Sequence, residues 1–242
     1  MIKGIIFDLG HTLLQLNREL DEVAREGAEA MADWYYKKKR IKLDQAALVE
    51  TFLVEREIAF QRANRSQMEI PLWQTLKVAL EKIEAPVTTT SKILLDAAVK
   101  IYLAPEQAAW QVYPDAISTL KLLKERQYRL GLYSNATDDA YVQRLINENK
   151  LRPELSITFS SAGLGWRKPD PQGFALIAKR WDLSTKEIVV VGDALEFDVL
   201  GAHNAGMSSI LVQRQAAPSA SSITPTAVTN DLAALPTIIT GL

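Results

Sequence analysis

Gly4-Ile5-Ile6-Phe7-Asp8-Leu9-Gly10-His11-Thr12-Leu13 is the stretch whose reading decides the fold. Ile5-Ile6-Phe7 is an apolar run too short for a helix, and it is cut off by a polar, glycine-bearing segment. That combination predicts a buried strand feeding a loop. The same grammar returns downstream. Tyr128 to Tyr133 predicts a strand ending at Ser134-Asn135, and Ile157 to Ser160 a shorter one. Ile188 to Val191 predicts a strongly apolar strand ending at Gly192-Asp193, and Ser209 to Val212 another. Helical patterns lie between them: Ala116 to Arg126, a helix starting at Thr137 with Asp138 and Asp139 in its first turn, Pro171 to Trp181, and one reaching Ala205 and stopped by Gly206 at C′. Ala227-Val228 and Asp231 to Ile239 read as a last strand and helix. Apolar strands alternating with helices imply a parallel sheet covered on both faces, an α/β fold of three-layer α/β/α, Rossmann-like type.

Directly after the first strand this rhythm is interrupted. From Asn17 to Ala104 the pattern is helical only. Leu20, Val23, Ala24, Gly27, Met31 and Trp34 mark one helix face. Leu48, Phe52, Ile58 and Ala59 follow an N-cap at Asp44, Pro71 opens a third helix, and Ser91 caps a fourth. Trp34, Phe52 and Trp73 are expected in the core of this block. The organisation expected is therefore an α/β core of residues 1–16 and 105–242, with residues 17–104 as an inserted all-helical cap domain. A Ser/Ala/Pro-rich loop is expected around Ala216 to Ser222.

Composition narrows the function classes. The chain of 242 residues has 28 basic and 29 acidic side chains, so no overall field points to nucleic acid or an anionic membrane. Lys37-Lys38-Lys39-Arg40 is the one basic cluster and reads as a solvated helix end. The absence of cysteine excludes disulfides, thiolate metal sites and a thiol nucleophile. No apolar stretch is long enough for a signal peptide or a membrane span, so a cytoplasmic monomer or homodimer is expected.

In open parallel sheets ligands bind outside the carboxyl ends of the strands, and that is where the polar residues fall. Asp8 to Thr12 form one cluster, Ser134-Asn135 a second, and Gly192-Asp193 a third, with Asp198 one helical turn further on. Lys168 stands in Arg167-Lys168-Pro169-Asp170-Pro171, ahead of a helix that Asp170 can cap. This set fits phosphoryl transfer. A carboxylate can attack phosphorus and form an aspartyl-phosphate. It must approach a dianion, and unit charges ~4 Å apart repel by roughly 4 kcal/mol at an effective dielectric near 20. A lysine and a divalent cation remove that obstacle. Magnesium takes hard oxygen ligands, which Asp8 and Asp193 supply, while Ser134 and Asn135 can hydrogen-bond phosphate oxygens.

Phe7 to Leu13, Ser134-Asn135, Arg167 to Pro171 and Gly192 to Ala202 together resemble the four motifs of the haloacid dehalogenase (HAD) superfamily, in order, over residues 1 to about 214, and the helical insert sits where that family places its type 1 cap. The resemblance implies a magnesium-dependent phosphohydrolase of a small phosphorylated metabolite, like the phosphoglycolate phosphatases, with the cap as a lid. It implies Asp8 as nucleophile and metal ligand, the carbonyl of Gly10 and the carboxylate of Asp193 as further ligands, and Asp198 in support of that shell. Ser134 would bind the phosphoryl group, and Lys168 would hold both nucleophile and phosphate.

One position departs from the pattern. Phosphatases of this family usually carry a second aspartate, the general acid/base, two residues after the nucleophile. Here that residue is Gly10. A positioned acid/base contributes about 10²–10⁴-fold. His11 could substitute for it or simply fill the turn. The leaving group could need little help, or the chain could be a catalytically weak phosphate- or metal-binding member. Dehalogenases of the family also lack that aspartate, but their fourth motif has Ser-Asn in place of Gly-Asp. Asp193 beside Asp8 would force one carboxyl to take up a proton unless a cation joins them, which favours the phosphatase over a 2-haloacid dehalogenase.

Overall fold

The protein is described here from a computed structural model that covers residues 1–214 and 222–242. The chain divides into two compact units, Met1–Gln15 with Gln111–Leu242, and Leu16–Trp110. Most of the loop expected around Ala216 to Ser222 lies outside the described residues.

The chain begins with strand β1 (Gly4–Phe7), fully buried, and the short β2 (Leu14–Leu16). Four helices make up the Leu16–Trp110 unit: α1 (Leu20–Asp33), α2 (Gln45–Ser66), α3 (Leu72–Lys82) and α4 (Lys92–Ala109). Asp44 caps α2 as expected, accepting the Ala47 N–H at 2.9 Å. Ser91 stands at the cap position of α4 but makes no capping hydrogen bond. The helix expected to stop at Ala104 continues through Pro105 to Ala109. α1 meets α4 so closely at Gly27 that a Cβ there would come within 2.0 Å of the Tyr102 carbonyl oxygen.

Two aromatic expectations for this unit need correcting. After α1 the chain enters a wider π-type turn, Trp34–Lys38, in which the Lys39 N–H reaches back to the Trp34 carbonyl. Tyr35, four residues past buried Met31 and so on the same face, is fully buried, while Trp34 and Trp73 are only half-buried; Phe52 is in the core. On α2 the buried face runs through Leu48, Val49, Phe52, Glu55 and Ala63, so Ile58 is exposed. Glu55 fills a core position by pairing with Lys82 at 2.6 Å.

From β3 (Trp110–Val112), which pairs with β2, the chain alternates. It forms α5 (Ala116–Glu125), β4 (Arg129–Ser134), α6 (Asp139–Glu148), β5 (Ile157–Ser160), the short α7 (Ser161–Leu164) and α8 (Gln172–Trp181). β6 (Ile188–Gly192), α9 (Leu200–Asn204), β7 (Ser208–Val212), β8 (Ala227–Thr229) and α10 (Leu235–Thr240) complete it. Asp138 caps α6 through the Tyr141 N–H, in place of Thr137. Gly206 has φ +70, the left-handed conformation expected of a C′ glycine. The last helix starts at Leu235 and not Asp231, because the Asp231 carboxylate first closes a turn on the Ala234 N–H.

The six long-range strands form one parallel sheet, ordered β5-β4-β1-β6-β7-β8. Ile6, Tyr133, Ile188 and Val190 share a core with Phe174, Ile177 and Trp181 of α8 and Ala202 of α9. Strand residues alternate in direction, so Ile5, Phe7, Leu132, Val189 and Val191 turn to the opposite face, on the side of α5 and α6. This is the three-layer α/β/α arrangement expected. Strand order grows from β1 toward β4 and β5, then jumps back across β1 to β6. The reversal places the topological switch point at the carboxyl ends of β1 and β6. Among the described residues no helix is long and apolar enough to cross a membrane.

Candidate active site

Asp8 is the first residue beyond β1, and its N–H donates to the Val191 carbonyl of β6 at 2.9 Å. The chain then turns sharply, with the Leu9 carbonyl accepting both the Leu13 and Leu14 N–H groups at 2.9 Å. Within this turn Gly10 is half-buried, and His11 is exposed with φ +56, a region non-glycine residues seldom occupy. The hydroxyl of Thr12, fully buried, has no hydrogen-bond partner among the described residues.

The sheet order brings together residues that the sequence holds far apart. Lys168 Nζ lies 2.5 Å from Asp8 Oδ1 and 2.6 Å from Asp198 Oδ1, with Lys168 and Asp198 each 2% exposed. Asp193 follows β6 directly. Carboxylate oxygens of Asp8, Asp193 and Asp198 all lie within 4.8 Å of one another. The helix expected after Asp193 opens with a π-type turn, Leu195–Val199, and only then becomes α9. That turn points Asp198 back at Lys168, while its second oxygen accepts the Ala194 N–H at 3.1 Å. Gly192 permits this approach: a Cβ there would lie 2.2 Å from Asp198 Cγ.

Ser134 ends β4 in register with Ser160 of β5 and is buried. Asn135 does something its position in the sequence did not show. Its side chain accepts the Lys168 N–H at 2.8 Å and donates to the Lys168 carbonyl at 3.0 Å. The amide thus brackets the lysine backbone and positions it, and does not stand open toward a ligand. Asp170 turns its carboxylate onto the Gln172 N–H at 2.8 Å, holding the start of α8 behind the lysine across the cis peptide Lys168–Pro169. Tyr133 was not anticipated: its ring lies 5.8 Å from Lys168 Nζ, and its hydroxyl donates to the Trp166 carbonyl at 2.9 Å. A strand residue whose neighbour is the expected ligand gives no sequence signal that it faces the lysine.

The electrostatics follow from burial and from charge imbalance. Three carboxylates face one ammonium. Burial pushes the Asp8 carboxyl up to about 7; Lys168 opposes the rise, and Asp198 and Asp193 add to it. Asp193 is pushed up to about 6 by burial and then by Asp198, again against Lys168. Burial pulls the Lys168 ammonium down, but Asp198 and Asp8 outweigh it and leave its value raised. The cluster is thus short of positive charge. Its donors are all hard oxygens, the set a divalent cation such as magnesium takes, so the residues fit that ion. The arrangement can hold a cation, present a carboxylate nucleophile and set an ammonium against an incoming anion.

Comparison with known proteins identifies the family. A family profile described as haloacid dehalogenase-like hydrolase matches residues 2–206. A glyceraldehyde 3-phosphate phosphatase of Methanopyrus kandleri is 28% identical over 216 residues, spanning 88% of this chain and 85% of the relative. A (S)-2-haloacid dehalogenase 4A of Burkholderia cepacia is 30% identical over 106 residues, 44% of this chain and 45% of that one. Among solved structures, a 2-haloacid dehalogenase from Pseudomonas syringae pv. Tomato superposes with a TM-score of 0.74 at 25% identity, covering 100% of this chain and 99% of its own.

Proposed function

Because the chain belongs to the haloacid dehalogenase-like hydrolase family, we propose that it is a magnesium-dependent phosphohydrolase acting on a small phosphorylated metabolite. The observation that carries this reading is the third carboxylate, Asp193, within 4.8 Å of Asp8 and Asp198. One lysine cannot balance three carboxylates. A site built for a neutral or monoanionic haloacid gains nothing from that excess, whereas a cation-dependent phosphatase needs it. The likeness to the Methanopyrus kandleri phosphatase, over 88% of this chain, supports the same reading.

In this reading Asp8, Asp193 and the Gly10 carbonyl would hold the magnesium ion, which would supply positive charge against the phosphate when bound. An Asp8 oxygen forms a bond to phosphorus, and the ester oxygen leaves with its bonding pair and takes a proton from water. A second water attacks the aspartyl-phosphate at phosphorus, releasing inorganic phosphate and restoring the Asp8 carboxylate. Lys168 neutralises the approaching phosphate and orients Asp8. Ser134 donates its hydroxyl to a phosphoryl oxygen, and Asn135 and Asp198 position Lys168. Gly10 provides no proton transfer, so turnover is slow for poor leaving groups.

A 2-haloacid dehalogenase is the second reading, favoured by Gly10 and by the likeness to the Pseudomonas syringae enzyme. A screen of phosphate esters with and without magnesium, alongside Asp8→Asn, tests the two. Metal-dependent phosphate release that disappears in the variant is the expected result. Halide release from 2-haloacids without metal would replace it with the second reading, and phosphate or metal binding without any turnover would leave a binding protein.

A further inference from the structure

Beyond the phosphoryl cluster, the same edge of the sheet carries a second cation whose surroundings are unlike those of a surface arginine. Arg214 lies two residues past β7. Its backbone is anchored there because the adjacent Gln213 N–H donates to the Thr229 carbonyl at 2.7 Å. The guanidinium carbon lies over the Tyr113 ring, 3.7 Å from its centroid. One terminal nitrogen, Nη2, pairs with both oxygens of Asp115 at 2.8 and 3.1 Å. Asp115 is itself fixed by accepting the Leu232 N–H at 2.8 Å. Nε is buried and has no partner among the described residues.

This cation is fixed by its ring and carboxylate contacts and lies at the carboxyl end of the sheet, where the candidate site is. Gly192 pairs with Leu211, so Arg214 lies beyond the strand next to the one that delivers Asp193. Tyr113 donates its backbone N–H to the Leu13 carbonyl at 3.0 Å, which ties its main chain to the end of the turn that starts at Asp8. The electrostatic influence of both Arg214 and Asp193 reaches the Tyr113 hydroxyl. Neighbouring strands lie ~4.8 Å apart. Arg214 is two strands from Asp8 and three residues beyond its level, so the two backbones are on the order of 14 Å apart, a gap that an arginine side chain and a small phosphorylated molecule span together. A planar guanidinium stacked on an aromatic ring and oriented by a carboxylate is the arrangement that recognises a second oxyanion.

We propose that Arg214, stacked on Tyr113 and oriented by Asp115, is a specificity-determining residue that receives a second oxyanion of the substrate, a carboxylate or a further phosphate. The inference rests on the phosphohydrolase reading. It goes further by naming the substrate class: phosphate esters that carry a second anionic group a few bonds from the ester.

The test is a set of kcat/KM values with magnesium for 2-phosphoglycolate, fructose 1,6-bisphosphate and the neutral-tailed glycerol 1-phosphate. They are measured on the full chain and on Arg214→Gln, Arg214→Lys and Arg126→Gln. Arg126 donates to the Pro236 carbonyl at 3.2 Å and so tethers the same C-terminal segment without belonging to the site. In the unmodified protein an oxyanion-tailed ester is preferred over glycerol 1-phosphate, and a preference for phosphoglycolate or for the bisphosphate identifies the tail. Arg214→Gln reduces that preference at least tenfold, mainly through KM, Arg214→Lys reduces it less, and Arg126→Gln leaves the ratio unchanged. Equal losses for all three esters in Arg214→Gln would show a purely structural arginine and overturn the proposal, as would an unmodified protein with no preference. Hydrolysis of no ester at all would overturn the phosphohydrolase reading, and the inference with it.

Discussion

Replacing Lys168 by Met keeps the volume of the side chain and removes its charge, and the structure dictates how the loss must depend on pH. The ammonium sits 2.5 Å from Asp8 and 2.6 Å from Asp198, almost wholly buried. At an effective dielectric of ~20, each contact is worth about 6 kcal/mol of Coulomb attraction. Desolvation of the ions takes back several kcal/mol apiece, and breaking buried pairs costs about 3–5 kcal/mol. The carboxyls left behind have a way out, which is to bind protons. Asp8 and Asp193 already have folded values above the ordinary carboxyl value, about 7 and about 6. For groups raised in this way, the native state is favoured below the unfolded value and that advantage is lost as pH rises through the folded one. Urea unfolding of metal-free protein is therefore expected to show Lys168→Met less stable by about 3–5 kcal/mol at pH 8. At pH 5, where Asp8 and Asp193 are protonated, the loss falls to about 1–2 kcal/mol, close to that of a volume-conserving swap. An equal loss at both pH values would refute the reasoning, because the lysine would then contribute by packing and not by charge.

Other outcomes follow from the same geometry. Adding magnesium is expected to raise the melting temperature more at pH 8 than at pH 5, since the ion relieves repulsion that exists only once Asp8 and Asp193 are ionised; a shift independent of pH, read by differential scanning fluorimetry, would count against binding at these carboxylates. Gly192→Ala puts a methyl 2.2 Å from Asp198 Cγ, so about 1–3 kcal/mol of stability is lost to overpacking and phosphatase kcat falls as Asp198 leaves Lys168. Retained stability in denaturant melts would mean the strand end yields more easily than its packing suggests. Asn135→Ala frees the Lys168 backbone from two hydrogen bonds and is expected to lower kcat more than it raises KM. A change confined to KM would instead make Asn135 a direct substrate ligand.

Much of the sheet was legible because its strands are short apolar runs ending in polar residues, and those endings are also where the site lies. Asp8, Ser134 and Asp193 could be picked out for that reason, and Lys168 by its place just ahead of a helix start. What could not be read was direction. Asn135 stands where a phosphate ligand belongs, yet its amide turns to the Lys168 backbone, a choice made by a contact 33 residues away in sequence. Asp198 looked like a helix residue whose role was open; a π-type turn aims it at the lysine, and helical spacing has no signature for that extra residue. Trp34 and Ile58 were misplaced because each sits on the flank of its helix's buried face, where apolar type alone does not decide burial. Tyr35 takes the core place beside Trp34, and Glu55, paired with Lys82, takes a core place that a count of apolar residues passes over.

The position of β1 in the sheet also bears on how the protein comes to be made. Gly4 lies opposite Arg129 on one side and Ile188 on the other, so the strand that delivers Asp8 is synthesised first and is paired last. Its contacts are among the most distant in the chain, the kind that close slowly. The helices of Leu16–Trp110, whose partners are near in sequence, have no such wait. Until β4 has left the ribosome β1 has two open edges, and until β6 follows it keeps one, a template for pairing with other chains. Asp8 lacks its companion carboxylates, Asp193 and Asp198, throughout that interval. The protein acquires its chemistry in a single late step, and a chain broken off before Ile188 is expected to aggregate without ever having been an enzyme.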